Sequence, residues 1–173
     1  IYTNPQTDPY TNTDGPKMLG ENQANLDSVI LPPNYEIGHV FSTGGGGLAN
    51  FNVPCNYSTK ARGVTGLFNP VGDPFAIDYV AHEMGHQWGA QHTFNGGGGN
   101  CTQDNRSSSS AFEPGSGITI MGYAGICSRQ DLARNSIDSF HIRSIEAILN
   151  FINNGGGSGC SINITTENSP PTI

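Results

Sequence analysis

The chain has 173 residues, of which 35% are hydrophobic, a length and composition that suit one domain with a single lean core. Its formal charge of −7, with only 7 Lys and Arg residues, excludes the basic surface that nucleic-acid binding requires. No apolar run approaches the roughly 18 to 20 residues that span a bilayer, so we expect a soluble fragment or mature form without a membrane span.

The first part of the chain contains a candidate ion site and a candidate helix. In "TDPYTNTDG" at 7–15, Asp8, Asn12 and Asp14 offer oxygen donors that could bind calcium, although such residues are also common in turns. In "GENQANLDSVIL" at 20–31, apolar residues recur with helical spacing between a glycine and two prolines. This pattern predicts a short amphipathic helix that packs against a sheet.

The next segments predict extended chain. "IGHVFS" at 37–42 alternates like a strand, the glycines at 44–47 break the pattern, and "LANFNV" at 48–53 resumes it. Pro54 favours an edge position for this second strand. "ARGVTGLF" at 61–68 predicts a third strand, which its glycines weaken.

A strong helix signal follows. Asp73 and Pro74 offer an N-cap and a first-turn proline for a helix that runs through "FAIDYVAHEMGHQWG". Gly89 can adopt the left-handed conformation that ends a helix, so the chain is expected to turn away there and to free His92 from the helix.

The rest of the chain alternates between irregular and helical composition. Residues 96–117 are rich in Gly, Ser and Asn, which predicts a long irregular excursion. "SIDSFHIRSIEAILNFI" at 136–152 restores helical spacing, with Asp138 or Ser139 as its expected cap. The tail at 161–173 has the composition of a linker towards a following module.

Eleven residues, "HEMGHQWGAQH" at 82–92, carry the chemistry. His82 and His86 are one helical turn apart, so both imidazoles can face one ion, and His92 can return to it after the turn. Three nitrogen ligands leave a fourth zinc position open for water, and Glu83 lies beside it as a general base. A merely histidine-rich helix is the alternative, but a chance match to HExxHxxGxxH has a probability on the order of 10⁻⁵ at this composition.

Four cysteines, at positions 55, 101, 127 and 160, indicate an oxidising compartment. Two disulfides would stiffen a loop-rich domain by roughly 2 to 4 kcal/mol each. A zinc-thiolate site is the alternative, and the absence of any CxxC pair argues against it.

The histidine motif resembles the zinc signature of the metzincin metallopeptidases, and "ITIMGYAGIC" at 118–127 is similar to their Met-turn. The resemblance implies that Met121 lies beneath the zinc site. Tyr123 matches the Met-x-Tyr form in which some metzincins use the tyrosine as a fifth zinc ligand or as an oxyanion stabiliser. A buried structural tyrosine is the alternative.

Over residues 18–155, through runs such as "GHVFSTGGGGLA" and "VAHEMGHQWGAQHTF", the chain is most similar to secreted bacterial reprolysin-like, or adamalysin-like, proteases. This implies an α/β (α+β) zincin-like catalytic domain over 1–160, with a twisted mixed sheet, an active-site helix, a Met-turn, a C-terminal helix and a loop-rich lower half. Only 81 residues precede His82, fewer than in the family, so an N-terminal strand and helix are expected to be missing, carried on a companion chain or replaced.

The resemblance also implies a function. It predicts a secreted, extracellular and monomeric zinc endopeptidase with protein or peptide substrates, in which His82, His86 and His92 bind Zn²⁺ and Glu83 activates the zinc-bound water. An edge strand would pair with the substrate backbone through "GLAN", that is, Gly47, Leu48, Ala49 and Asn50. The pocket wall would follow the Met-turn, at 124–138. The implied disulfides are Cys55 with Cys160 and Cys101 with Cys127.

Some signals leave alternatives open. Glu113 could bond Arg106 or support its own loop, and His39 and His141 fit structural roles better than ligand roles. A non-catalytic binding module that keeps the fold, or a zinc hydrolase of a non-peptide bond, would compete with the endopeptidase. Glu83 argues against the first, because a binding module needs no water-activating carboxylate, and the edge strand argues against the second.

Overall fold

A computed structural model describes residues 6–162 together with residues 2, 4, 164, 166 and 168, so much of the predicted linker at 161–173 lies outside the described residues. The architecture is mixed α+β, as the sequence predicts. In chain order the main elements are α1 (Gly15–Val29), β1 (Val40–Ser42), β2 (Gly46–Ala49), β3 (Gly63–Gly66), α2 (Gly72–Phe75), a π-helical segment (Ala76–Ala81), α3 (His82–Gln87) and α4 (Ile142–Asn154). No helix in the described part is both long and apolar enough to cross a bilayer.

Helix α1 begins at Gly15, five residues before the predicted start at Gly20. The Asp14 side chain caps it by accepting a hydrogen bond from the backbone N–H of Lys17 at 3.1 Å, and Pro16 lies in its first turn. The predicted start is wrong because Met18 and Leu19, which lie before Gly20, already belong to the helix, so this glycine does not mark its beginning. The cap and the proline do.

The described sheet has three strands in the order β1-β3-β2. The central strand β3 pairs parallel with β1 and antiparallel with β2, and all four of its residues are buried. Strand β2 is an edge strand, as predicted, but it ends at Ala49 and not at residue 53, and it begins at Gly46, inside the glycine run that was predicted to break the pattern. That prediction is wrong because Gly46 and Gly47 pair in register with Gly66 and Thr65 of β3.

The helical region that follows is continuous from α2 to α3 but changes its winding. Its N-cap position is Val71, which makes no side-chain cap bond, and Asp73 lies inside the first turn, so the predicted Asp73 cap is wrong. The Asp73 carboxylate still favours the positive end of the helix dipole. Six residues, Ala76–Ala81, are π-helical, which the sequence did not predict. Gly89, with φ of 96°, ends the helix as predicted.

Between residues 90 and 141 the chain is almost entirely irregular, and the 3₁₀ turn at Ser128–Gln130 and a parallel bridge between Phe94 and Glu113 are its regular features. Two apolar clusters fill this half. One contains Ala90, Ile120 and Met121, and the other contains Phe94 with Cys101 and Cys127. Order here therefore depends on specific contacts more than on repeating backbone structure.

Two disulfides cross-link the chain. Cys55 bonds Cys160 across 105 residues, and Cys101 bonds Cys127 across 26 residues. These are the pairs that the family resemblance implies. The final helix, α4, is capped by His141, whose Nδ1 accepts from the N–H of Arg143 at 3.1 Å, so the predicted caps Asp138 and Ser139 are wrong.

Candidate metal centre

Three imidazoles converge at the end of α3. His82 and His86 are four residues apart on this helix, and the turn at Gly89 brings His92 back towards them. The Nε2 atom of His92 lies 2.9 Å from Nε2 of His86 and 3.1 Å from Nε2 of His82. Among the described residues, these three side chains form a group whose ligand atoms all lie within 4.8 Å of one another.

The opposite nitrogen of each ring contacts a backbone carbonyl oxygen. The Nδ1 atoms of His82, His86 and His92 donate to the carbonyls of Ile120, Ala90 and Asn105 at 2.7, 2.7 and 2.5 Å. Because a carbonyl oxygen only accepts, Nδ1 carries the proton in each ring and Nε2 presents a lone pair. Three lone pairs therefore point into one small space.

The rings are held neutral. Burial lowers the pKa of His82 to about 3, assisted by the charge of His92, although its bond to Ile120 opposes the shift. Burial also lowers the pKa of His86 well below its usual value and lowers that of His92. Neutral imidazole is the form that ligates a metal ion.

The donor set fits zinc. Ligands about 2.0 to 2.1 Å from a tetrahedral zinc ion lie roughly 3.3 to 3.4 Å apart, so the observed nitrogen separations of 2.9 and 3.1 Å need only small adjustments. Three lone pairs at this distance repel one another unless a cation lies between them. Neutral imidazoles fixed by Nδ1–H bonds to backbone carbonyls are also the usual arrangement of histidine ligands.

Glu83 lies beside this group, buried against the edge strand. A Cβ atom built on Gly47 of β2 would lie 2.3 Å from Oε1 of Glu83, so a side chain at this position would displace the carboxylate. Burial raises the pKa of Glu83 to about 8. A cation among the imidazoles would oppose this shift, because positive charge favours the ionised carboxylate.

Met121 packs directly under α3. A Cβ atom on Gly85 would lie 2.5 Å from the Met121 sulfur, so the helix and the turn approach each other at a position without a side chain. Met121 is fully buried, and Ala90 and Ile120 complete its cluster. The thioether therefore lies beneath the helix that carries two of the imidazoles.

Tyr123 lies against the same group. Its ring centroid is 4.5 Å from that of His92 and 5.6 Å from that of His82, and it stacks on Phe94 at 4.6 Å. Burial raises the pKa of its hydroxyl to about 12, with the charge of Glu83 adding to the shift. The side chain is thus a neutral phenol at ordinary pH.

A cleft of about 460 Å³ adjoins His82, Glu83 and Tyr123. One side is the edge strand at Gly46 and Gly47, and the other is formed by chain that follows Met121. This second wall consists of Ala124, Gly125, Ile126, Arg134, Asn135 and Ser136.

The four residues of the "GLAN" run have different surroundings. Gly47 lines the cleft and contacts Glu83, whereas Leu48 lines a separate cavity beside the start of α1. Ala49 pairs with Gly63 of β3, and the N–H of Asn50 continues the ladder by donating to the carbonyl of Arg62 at 3.0 Å.

Sequence reasoning missed the network that docks α3 on the sheet. Gln87 is fully buried, its Nε2 donates to the carbonyl of Gly38 at 2.9 Å, and its Oε1 accepts from Nδ1 of His39 at 2.7 Å. The Nε2 of His39 then accepts from the Thr65 hydroxyl at 2.8 Å. No motif marks Gln87, because its partners lie in the segment before β1, 49 and 48 residues earlier in the sequence.

The predicted calcium donors have local partners. Asp14 caps α1, Asp8 accepts from the N–H of Tyr10 at 2.9 Å, and Asn12 donates to the hydroxyl of Thr43 at 2.8 Å. These are the contacts of turn and cap residues, so calcium binding in this segment stays a prediction.

Glu113 and Arg106 do not pair. Arg106 donates from Nε to Oδ1 of Asn95 at 2.8 Å, whereas the Glu113 carboxylate accepts bonds from its own loop region. The second alternative, that Glu113 supports its loop, is the one the structure shows.

A comparison with known families agrees with this geometry. The model of a family described as metallo-peptidase family M12B, reprolysin-like, matches residues 1–152. No curated protein matches the chain significantly. The family match covers all three imidazoles, Glu83 and the Met121 turn.

Proposed function

Because the chain belongs to the reprolysin-like metallopeptidases of family M12B, we propose that it is a secreted zinc endopeptidase in which Glu83 is the general base. His82, His86 and His92 would hold the zinc. The observation that carries the proposal is the convergence of three neutral imidazoles next to a buried carboxylate. The Nε2 atom of His92 lies within 3.1 Å of the Nε2 atoms of both His82 and His86.

The division of labour follows from the positions of the side chains. When bound, zinc supplies Lewis acidity, which lowers the pKa of water to about 7 and polarises a carbonyl. Glu83, beside His82 and wedged against Gly47, accepts the proton of the attacking water and returns it to the leaving amine. No side chain of the protein needs to form a covalent bond to the substrate.

The substrate would bind along the edge strand. Strand β2 has one side free of sheet partners in the described structure, so an extended peptide can pair with its backbone. The cleft between β2 and the wall at 124–136 would receive the side chain next to the scissile bond. Pairing through backbone atoms tolerates many sequences, and the wall sets preference.

Tyr123 would act from the side of the cleft opposite β2. Its position among His82, His92 and Phe94 suits a phenol that donates to the developing oxyanion of the substrate. Tyr123→Phe keeps the stacking on Phe94 and removes only the hydroxyl. We expect this variant to lose activity if the hydroxyl stabilises the oxyanion and to retain it if the role is structural.

Secretion is supported by covalent cross-linking. Both pairs of cysteines are bonded, and disulfides persist in oxidising compartments outside the cytosol.

The test compares wild type, chelated protein and Glu83→Gln on a quenched-fluorescence peptide, with zinc content measured in each. Gln is nearly isosteric with Glu, so it keeps the contact with Gly47 but cannot accept the water proton. We expect the variant to bind zinc and to lose about 10²- to 10⁴-fold in rate. Glu21→Gln, on α1, is the control and should retain activity. Full activity in Glu83→Gln would refute the assigned mechanism.

A further inference from the structure

The most completely bonded carboxylate of the loop-rich half is that of Glu113. It is 7% exposed. Its Oε1 accepts from the N–H groups of Ile118 and Thr119 at 2.9 and 3.1 Å, and its Oε2 accepts from the hydroxyls of Thr93 and Thr119 at 2.5 and 2.6 Å. The carboxylate is therefore bonded to two separate segments of chain.

Both segments lead directly to the metal centre. Thr93 follows His92, and Ile118 and Thr119 lead into the turn that contains Met121. The N–H of Thr93 also donates to the carbonyl of Met121 at 3.0 Å. Glu113 thus fastens the segment of the third imidazole to the segment that leads into the Met121 turn.

The backbone of Glu113 repeats this link. Its N–H donates to the carbonyl of Thr93 at 2.8 Å, and its carbonyl accepts from the N–H of Asn95 at 2.8 Å. This is the parallel bridge between the segment after His92 and the segment at 113. Displacing the side chain would therefore disturb the same segment at several points.

The carboxylate is stabilised by hydrogen bonds without a paired cation in the described structure. Burial alone would raise its pKa, but the bonds from Thr119, Thr93 and the two backbone N–H groups outweigh burial and lower it. Glu113 is thus ionised at neutral pH, where it accepts all four bonds.

His92 depends on such contacts more than the other two imidazoles do. His82 and His86 are fixed by α3, whereas His92 follows the helix end and is bonded through its own carbonyl to the Ser110 hydroxyl at 2.8 Å. A small movement of Thr93 moves the ring beside it. Positioning of the third ligand is therefore a task for the surrounding loops.

We propose that Glu113 is the positioning residue for the third zinc ligand: by tying Thr93 to the Met121 turn, its carboxylate sets the affinity of the centre for zinc. This rests on the proposed function, because it takes His92 to be a ligand. It adds to that function a residue that contacts neither the metal nor the substrate.

The test measures the zinc dissociation constant by competition with a chromophoric chelator in wild type, Glu113→Met and Glu113→Gln. Met keeps the length of the side chain but accepts no strong hydrogen bonds. Gln can accept both N–H bonds at its oxygen and donate from its amide to the two threonine hydroxyls. We expect Glu113→Met to weaken zinc binding by about 10- to 100-fold and Glu113→Gln to recover most of this loss.

A matched control separates positioning from general stability. Glu21 on α1 accepts from the N–H and the hydroxyl of Thr11, both at 2.7 Å, so it is a similar carboxylate-to-threonine contact outside the centre. Glu21→Met should lower thermal stability without changing zinc affinity. The visible spectrum of the Co²⁺-substituted protein should change in Glu113→Met and not in Glu21→Met, because the spectrum reports ligand geometry.

If Glu113→Met does not fold, Thr93→Val serves instead, since it removes one of the four bonds with nearly the same volume and should weaken zinc binding by a smaller factor. Unchanged zinc affinity and an unchanged Co²⁺ spectrum in the folded variants would overturn the positioning role. Failure of the wild type to bind one zinc ion would instead overturn the proposed function, so the two failures are distinguishable.

Discussion

Two regions of this molecule deliver imidazoles to one point by different means. Helix α3 carries His82 and His86, and its regular geometry sets their spacing. The irregular half, from residue 90 to 141, carries His92 on loops held by a disulfide, a buried carboxylate and backbone bonds. The comparison shows that the regular backbone of a helix is enough to position its side chains, whereas a side chain on a loop has to be positioned by specific contacts.

The largest expected effect comes from removing a ligand on either side. His86→Ala and His92→Ala should each weaken zinc binding by more than roughly 100-fold, the upper end of the loss that follows when a hydrogen-bond partner of a ligand is removed. Without metal, His86→Ala should lower the free energy of unfolding more than His92→Ala. His86 is buried against Phe51, with 4.8 Å between the ring centroids, and His92 is less buried. Chelator competition and thermal unfolding of the chelated variants measure both quantities. Zinc binding by His92→Ala within tenfold of wild type would break the comparison.

The two disulfides should separate global stability from site geometry. By loop-closure entropy, the bond across 105 residues contributes about 4.8 kcal/mol and the bond across 26 residues about 3.5 kcal/mol. Replacing Cys55 and Cys160 with Ser should therefore lower the unfolding free energy more. Replacing Cys101 and Cys127 should affect zinc binding more, because this bond packs on Phe94, two residues after His92.

Denaturant unfolding and zinc titration of the two double variants test this ordering. Equal loss of zinc affinity in both would show that the irregular half responds to overall stability and not to its local brace.

Two helical glycines should respond to substitution by alanine with changes of opposite sign in the free energy of unfolding, and these changes should be smaller than those above. Gly20 on α1 has no atom near the position of an added Cβ, so Gly20→Ala should stabilise the protein by about 0.5 to 1 kcal/mol. Gly85 on α3 lies over Met121, so Gly85→Ala should destabilise it by about 1 to 3 kcal/mol despite the better helix propensity. Thermal unfolding gives both signs. Stabilisation by Gly85→Ala would mean that the helix and the turn do not pack closely.

The smallest expected effect is on the acid side of the stability profile. The pKa of Glu113 is lower in the folded protein than in the unfolded chain, because four hydrogen bonds outweigh its burial. Its contribution is therefore present above the unfolded pKa, near 4.5, and is lost as the pH falls through the folded value. In Glu113→Gln, the free energy of unfolding should therefore fall less steeply with decreasing pH. An unchanged slope of stability against pH below 4.5 in the variant would contradict the ionised carboxylate.

The same contrast explains what the sequence could predict. Local patterns predict the helical spacing of His82 and His86, the helix end at Gly89 and the mixed α+β class. The structure agrees with the predicted helix end and with the predicted class. The glycine-rich start of β2 does not follow, because it depends on pairing with β3, which lies further along the chain. The cap by His141 is a local contact with Arg143, but histidine is not among the residues that usually cap helices. The π-helical segment matches no local sequence signal.

The polar contacts of the centre were still harder to predict. Gln87 gains its role from Gly38 and His39, and Glu113 from Thr93 and Thr119. A single sequence carries no signal for such pairings, since neither spacing nor hydrophobicity relates the partners. The sequence predicts the candidate site residues better than it predicts the residues that position them.

The contact between Gly47 and Glu83 restricts how the selectivity of this cleft can be altered. Any larger residue at 47 would displace the carboxylate, so under the proposed mechanism a library that varies this position should lose turnover. Variation belongs on the opposite wall of the cleft, which is lined by residues of 124–126 and 134–136. One wall of the cleft can therefore be varied, whereas the other has to keep its glycine.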